Sequence, residues 1–218
     1  MTFLPFVESE AAMGWWRDHV VPRMADRFLD TAEVHLLRAR ACADLFGDVV
    51  EIGFGSGLNV RHYPTAVRSV AAVEPSDLAW RLARPRVAST STRIVREGLD
   101  GQRLELADDS VDAALSTFTM CTIPDLDAAL GELTRVLRPG GRLHFLEHGR
   151  SDQPQVARWQ DRLQPVNGRL AGGCHIDRLL ADHLGRSDLV VEEITTSYGE
   201  GPKPFAFRYA GFAIKPLA

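Results

Sequence analysis

Lysine is almost missing from this chain. Of 218 residues only Lys203 and Lys215 are lysine; the other cations are arginines scattered among acids, and the formal net charge is −4. A surface that tracks phosphates needs a basic excess or a basic block, so nucleic acid is not an expected partner. No G-x-x-x-x-G-K-[ST] occurs, which disfavours a nucleoside triphosphate. Cysteine is scarce as well. Cys42, Cys121 and Cys174 are far apart, odd in number and include no C-x-x-C, so neither a disulfide framework nor a zinc site is expected. Small buried side chains in a reducing compartment are the expectation instead. No apolar run approaches the ~20 residues of a membrane span. The opening stretch "MTFLPFVESEAAMGWW" lacks a basic leader and carries Glu8 and Glu10, so it does not read as a signal peptide. These absences together predict a cytoplasmic protein without a membrane span.

What is present is a globular composition, 45% hydrophobic and 25% charged, long enough for one domain with an appendage. Residues 1–47 read as a helical extension. Pro22 suits a first helical turn, Met24, Phe28, Val34, Leu37, Ala41 and Leu45 follow one face, and Gly47 is a plausible stop. Trp15 and Trp16, ahead of that helix, read as packing residues.

A rhythm of short apolar runs then begins at residue 48. "DVVEIGF", "SVAAVEPS", "TRIVREG", "SVDAALSTFTM" and "GRLHFLEHG" read as buried strands. Helices fit between them, most clearly Asp125 to Leu137 with Leu126, Leu130, Leu133 and Leu137 on one stripe. That alternation implies a mostly parallel sheet with helices on both faces. The ending differs. "LVVEEITTS" and "FAFRYAGFAIK" are separated only by "YGEGPKP", too short for a crossover helix, so they should pair as an antiparallel hairpin. Between strand five and the hairpin, residues 149–188 are longer than a connection requires and read as a helical cap inserted over the sheet's carboxyl edge.

The stretch "VVEIGFGSGLN" runs from an apolar strand into three glycines, Gly53, Gly55 and Gly57. A strand, glycine loop and helix present free backbone N–H groups at the edge where ligands sit in open α/β sheets. A dinucleotide loop would put its third glycine where Leu58 stands. Glu74 ends the second strand, placed to accept hydrogen bonds from ribose hydroxyls. Glu51 and the absence of lysine suit a ligand with a cationic amino-acid tail better than a pyrophosphate.

With these residues the chain resembles the class I S-adenosylmethionine-dependent methyltransferases. "VVEIGFGSGLN" looks like their first motif and "VAAVEPS" like their second-strand acidic motif. "LADDSVDAALSTFTMCTIPD" followed by "ALGELTRVLRPGGRLHFLEHG" resembles the block around strands four and five of the type 11 domain. The resemblance implies an α/β, Rossmann-like fold over residues 48–218, with a mostly parallel seven-stranded sheet, and S-adenosyl-L-methionine as cofactor. It implies that Gly53, Phe54, Gly55, Ser56, Gly57 and Asn59 shape the loop against the methionine part, with Glu51 orienting its amino group. Glu74 would take the ribose, and Pro75, Ser76, Leu99 and Asp100 would lie by the adenine. Thr117, Phe118 and Thr119 would line the site.

Within that family, "NVRHYP", "TMCTIPD", "EHG", Trp159 and "GGCHIDR" resemble the alkyl-thiol methyltransferase-like branch and its bacterial relatives. The implied acceptor is a small molecule, with a thiol leading. An amine, a phospholipid headgroup or a quinone is the alternative within enzymes, and a non-catalytic adenosylmethionine-binding module is the alternative outside them. Methyl transfer asks the protein to align a nucleophile and exclude water. His148, ending strand five at the carboxyl edge, is the candidate general base; Trp159, Cys174 and His175 are candidates for the acceptor pocket.

Overall fold

The computed structural model describes residues 10–217; what the sequence suggests for residues 1–9 lies outside the described residues. Three helices come first, α1 (Glu10–His19), α2 (Val21–Phe28) and α3 (Ala32–Cys42). Then follow β1 (Gly47–Ile52), β2 (Val67–Val73), α4 (Asp77–Ala88), β3 (Arg93–Gly98), β4 (Val111–Thr117), α5 (Leu126–Val136) and β5 (Leu137–His148). The chain ends with α6 (Pro154–Leu170), α7 (Leu180–Arg186), β6 (Val190–Tyr198), the short α8 (Lys203–Ala206) and β7 (Phe207–Ile214).

The seven strands form one sheet in the order β3-β2-β1-β4-β5-β7-β6. Strands β1 to β5 pair in parallel. β7 runs antiparallel to both β5 and β6, so the terminal hairpin is present as the short "YGEGPKP" connection requires. Alternate residues of the central strands feed two cores. Val50, Ile52 and Ala114 pack with Leu126, Leu130 and Leu133 of α5 and Leu180 and Leu184 of α7. Val49, Ala113 and Leu115 pack with Cys42 of α3, Leu45 and Ala83 of α4. The α5 stripe is there as its spacing predicts, and the helix starts where Asp125 Oδ1 accepts from Ala128 N at 3.0 Å. The Pro139-Gly140-Gly141 turn is looped out of β5: Val111 pairs with Leu137, but Ala113 already pairs with Arg142.

The N-terminal expectation needs correcting. The stripe from Met24 to Leu45 is not one helix. It breaks at Leu29–Thr31, where Thr31 Oγ1 accepts from Val34 N at 3.3 Å and starts α3 afresh. Phe28, counted on the buried stripe, is 67% exposed. Gly47 does not stop a helix. It opens β1 with φ +67°, and a Cβ there would lie 2.0 Å from Asp112 Oδ2. Trp15 and Trp16 lie on α1, and Trp16 Nε1 donates to Leu170 O at 2.9 Å, tying α1 to the end of α6. No described helix is long and apolar enough to cross a membrane.

Candidate active site

The carboxyl ends of β1, β2 and β4 open into a cavity of about 1500 Å³. Its floor is the loop after β1. Gly53, Gly55 and Gly57 all have positive φ, at +65°, +59° and +77°. At Gly53 the need is also one of space, because a Cβ would stand 1.9 Å from Thr119 Oγ1 on the turn after β4. Glu74 follows β2, only 6% exposed. Its carboxylate holds the loop: Oε2 accepts from Gly55 N and Oε1 from Ser76 N, each at 2.7 Å. Burial raises its pKa, and these two N–H donors oppose that rise. Each oxygen keeps a further lone pair, and Glu74 lines the cavity.

Gly53, Phe54, Gly55, Ser56, Glu74, Pro75, Ser76, Leu99 and Asp100 all line this space, as do Thr117, Phe118 and Thr119. Glu51, Gly57 and Asn59 do not. Glu51 is 1% exposed behind the loop, where its carboxylate accepts from Tyr63 Oη and, at 3.0 Å, from Asn59 Nδ2. Burial pushes its pKa up to about 7. Asn59 also bonds Thr117 Oγ1 at 2.9 Å, so Glu51 and Asn59 brace the loop from beneath.

The far end of the cavity is built by the turn after β4 and the end of β5. Glu147 is fully buried and accepts from Ser116 Oγ at 2.6 Å and Thr119 N at 3.0 Å, fixing that turn; burial raises its pKa. His148, the next residue, points into the cavity as strand alternation requires. Its ring lies 4.7 Å from that of Phe118. Phe118 holds φ +57°, costly for an aromatic residue, and its N–H donates to Leu146 O at 2.7 Å. Cys121 and Cys174 close the wall beside His148, with their sulfurs 3.3 Å apart. One thiol donates to the other. The pair therefore gives up its first proton more easily than an isolated buried thiol and its second less easily. Cys174, which also faces His148, is the one pulled down.

Two expected pocket residues are elsewhere. Trp159 does not line the cavity; it sits on the outer face of α6, 54% exposed, with the Arg162 guanidinium 5.4 Å from its ring. His175 faces a separate cavity of about 350 Å³ with Asp177, Arg178 and His183. Its backbone matters more than its ring, since His175 N donates to Cys121 O at 2.8 Å.

Residues 50–145 match the family described as a methyltransferase domain. A thiol S-methyltransferase of Rattus norvegicus is 33% identical over 136 residues, 60% of this chain and 54% of that protein. The phosphatidylethanolamine N-methyltransferase of Cereibacter sphaeroides is 28% identical over 142 residues, 62% of this chain and 68% of that one. The chain thus spans about half the length of the thiol methyltransferases it matches. A solved S-adenosylmethionine-dependent methyltransferase of Thermotoga maritima superposes with a TM-score of 0.63 at 23% identity, covering 92% of this chain and 99% of that one. Residues 50–145 are similar to a methyltransferase domain, and the fold is that of the solved class I methyltransferases.

The methyltransferase domain implies S-adenosylmethionine, and the residues present fit it. Only glycine fits at position 53, the Glu74 oxygens are free to accept from hydroxyls, and a cationic group with spare hydrogen-bonding capacity stands in the wall. That group is Arg38 of α3, which no motif in the sequence singles out. It is 3% exposed, lines the cavity, and donates from Nη1 to Asn59 Oδ1 at 2.8 Å and Thr117 Oγ1 at 2.7 Å. Its Nε has no partner. A buried guanidinium N–H without an acceptor is costly unless a ligand supplies one, and a carboxylate is the acceptor it matches best. The cover is the second feature missed. Met13, Arg17, Met24 and Ala25 of α1 and α2 line the same cavity from above, opposite Leu170 to Gly173.

Proposed function

We propose that this chain transfers a methyl group from S-adenosylmethionine to the sulfur of a small-molecule thiol. The observation that carries the reading is the continuity of one covered cavity, from Glu74 and the glycine loop past Phe118 to His148 and the paired cysteines. The thiol S-methyltransferase relative at 33% identity supports the choice of acceptor atom. When bound, the cofactor supplies a methyl already activated by its sulfonium. The protein's part is then to hold, orient and keep dry. Glu74 accepts from the ribose hydroxyls, the Gly53–Gly57 loop admits the methionine backbone closely, and Arg38 takes its carboxylate. Leu99 and Asp100 flank the adenine. Positive charge is lost as the methyl leaves, so the half-apolar wall around Phe118 suits the reaction better than water does. His148 assists ionisation of the acceptor thiol, which at its ordinary pKa near ~8.5 is only a few per cent thiolate at neutral pH.

The segment 149–188 acts as a cap that chooses the acceptor, and α1 with α2 completes the lid. We place the protein in the cytoplasm, where its three unpaired cysteines stay reduced. The test is turnover. The full chain is incubated with methyl-labelled cofactor and, separately, with alkyl thiols, amines, phospholipid headgroups, phenols and quinols. Methylated thiol is the expected product. An amine or lipid product with none from thiols replaces the acceptor class, a reading favoured by the phosphatidylethanolamine N-methyltransferase relative. Cofactor binding without product from any acceptor points to a binding module.

A further inference from the structure

The acceptor end of the cavity brings together three metal-ligating side chains that cofactor holding does not require. Cys121 comes from the turn after β4, His148 from the end of β5, and Cys174 from the loop after α6. Their two sulfurs and a ring nitrogen all lie within 4.8 Å of one another. No ligand spacing along the chain announces the cluster, because its members lie 27 and 26 positions apart (148 − 121 and 174 − 148).

The backbone beneath the cluster is fixed. Asn167 Nδ2 donates to Cys174 O at 2.7 Å, and Arg178 Nη1 donates to Ile123 O at 2.7 Å. With the His175–Cys121 bond described above, these join the two cysteine segments across the mouth of the cavity. The sulfurs face each other at 3.3 Å without a covalent bond. In a tetrahedral site with metal–sulfur bonds of about 2.3 Å and metal–nitrogen bonds of about 2.0–2.1 Å, two sulfurs stand roughly 3.8 Å apart. Sulfur and nitrogen stand roughly 3.5 Å apart in the same geometry. The sulfurs are therefore within about half an ångström of that spacing, and the ring nitrogen, at most 4.8 Å from either sulfur, is within about 1.3 Å of its own. All three side chains line the large cavity, so a fourth position would open into it. Three protein ligands and one open position is how catalytic zinc is held, whereas structural zinc is closed by four.

We propose that Cys121, His148 and Cys174 bind a divalent ion of the zinc class, whose open position takes the acceptor's sulfur. This inference rests on the thiol reading above and says how the acceptor is ionised: His148 acts as a ligand, and the ion lowers the acceptor's pKa. Two protein thiolates balance the ion's charge, which lets it sit beside the buried Ile176 and its neighbours Leu163 and Ala171. On binding, the acceptor thiol gives its proton to solvent. The thiolate's electron pair then forms the new carbon–sulfur bond. The bond from that carbon to the sulfonium breaks, its pair staying on the departing sulfur, and the methyl thioether, uncharged and a weak ligand, leaves.

The experiment uses the full chain, reduced and stripped of metal, titrated with Co²⁺ alone. The expected result is one equivalent bound with a thiolate-to-cobalt charge-transfer band, displaced by Zn²⁺ and shifted when an alkyl thiol is added. Cys121→Ser, Cys174→Ser and His148→Ala should each lose the one-equivalent band, while Cys42→Ala, in the other core, keeps it. Calorimetric titration with S-adenosylhomocysteine checks that each variant still folds and binds. No cobalt band in the wild-type chain, or a band that survives both cysteine changes, overturns the site. So does a Cys121–Cys174 disulfide that, once reduced, still takes up no cobalt. A band that alkyl thiols do not shift overturns the acceptor role. Thiol methylation at an unchanged rate by metal-stripped enzyme removes the ion but leaves the thiol reading standing. Methylation of amines only, by a chain that binds cobalt, removes the thiol reading and with it the acceptor role of the ion.

Discussion

Arg38 and His148 both lie against Phe118, the guanidinium carbon 5.4 Å and the imidazole 4.7 Å from its ring. Phe118 thus stands between the cofactor's end of the cavity and the acceptor's end, which separates what the two neighbours do. Arg38→Lys keeps a charge but loses the fork that serves Asn59, Thr117 and a carboxylate together. It should weaken cofactor binding about tenfold, or about 1.4 kcal/mol, in calorimetry. His148→Ala should leave cofactor affinity alone and lower thiol turnover by about a hundredfold, in steady-state kinetics at saturating cofactor. An equal loss of cofactor affinity would show that His148 supports the loop instead. At this scale the sequence was legible where backbone geometry dictates a residue type. The glycines, Glu74 and the residues after β4 announce themselves because few side chains fit there. Arg38 did not, since a buried arginine on a helix outside the motif looks like any surface arginine until the fold turns it inward. Trp159 misled for the opposite reason: a large aromatic in a cap suggests a pocket wall, but here it is half exposed, outside the cavity, with Arg162 against its ring.

At the scale of elements, the strands were legible because each is a short run closed by a turn residue, and in β1, β4 and the second half of β5 burial on both faces leaves little room for another reading. The N-terminal helices were not, because the hydrophobic stripe continues across a break made by one capping threonine. That break has a use. It allows α1 and α2 to fold over the cavity while α3 packs against the sheet. The clasp between lid and cap is tight at Gly172, where φ is +63° and a Cβ would meet Val21 Cγ1 at 2.8 Å. Gly172→Ala should therefore push α2 away from the α6–α7 segment and add roughly 1–2 kcal/mol of left-handed backbone strain. The expected result is a melting temperature lower by about 2–8 °C and a raised KM for the acceptor, with cofactor affinity little changed. Unaltered acceptor kinetics in a variant that melts earlier would mean that lid and cap meet without shaping the acceptor's space.

Across the whole molecule, buried titratable groups of opposite kind set how stability responds to pH. Glu51 has its pKa pushed from 4.5 up to about 7 by burial. An acid raised in the folded state contributes stability that is full below 4.5 and is lost as pH rises through 7. Glu74 and Glu147 are shifted the same way. His144 is 5% exposed on β5, stacked 5.7 Å from Phe212 with Nε2 unpartnered, and burial lowers its pKa from 6.5 to about 4. A histidine depressed in this way contributes stability that is full above 6.5 and is lost as pH falls through 4. His62, beside His35, is shifted likewise to about 4. Between pH 5 and 7 the Glu51 and His144 slopes each amount to about 2 kcal/mol and have opposite sign. These two contributions nearly cancel each other, and the ligand-free chain's own profile over that range in urea denaturation is the baseline against which their removal is read. Removing either partner exposes the other. Relative to the unsubstituted chain, Glu51→Gln should tilt the profile upward by about 2 kcal/mol from pH 5 to 7, and His144→Phe should tilt it downward by a similar amount. Two variants tilting the same way would mean that one of these groups is not held in its uncharged form by the fold.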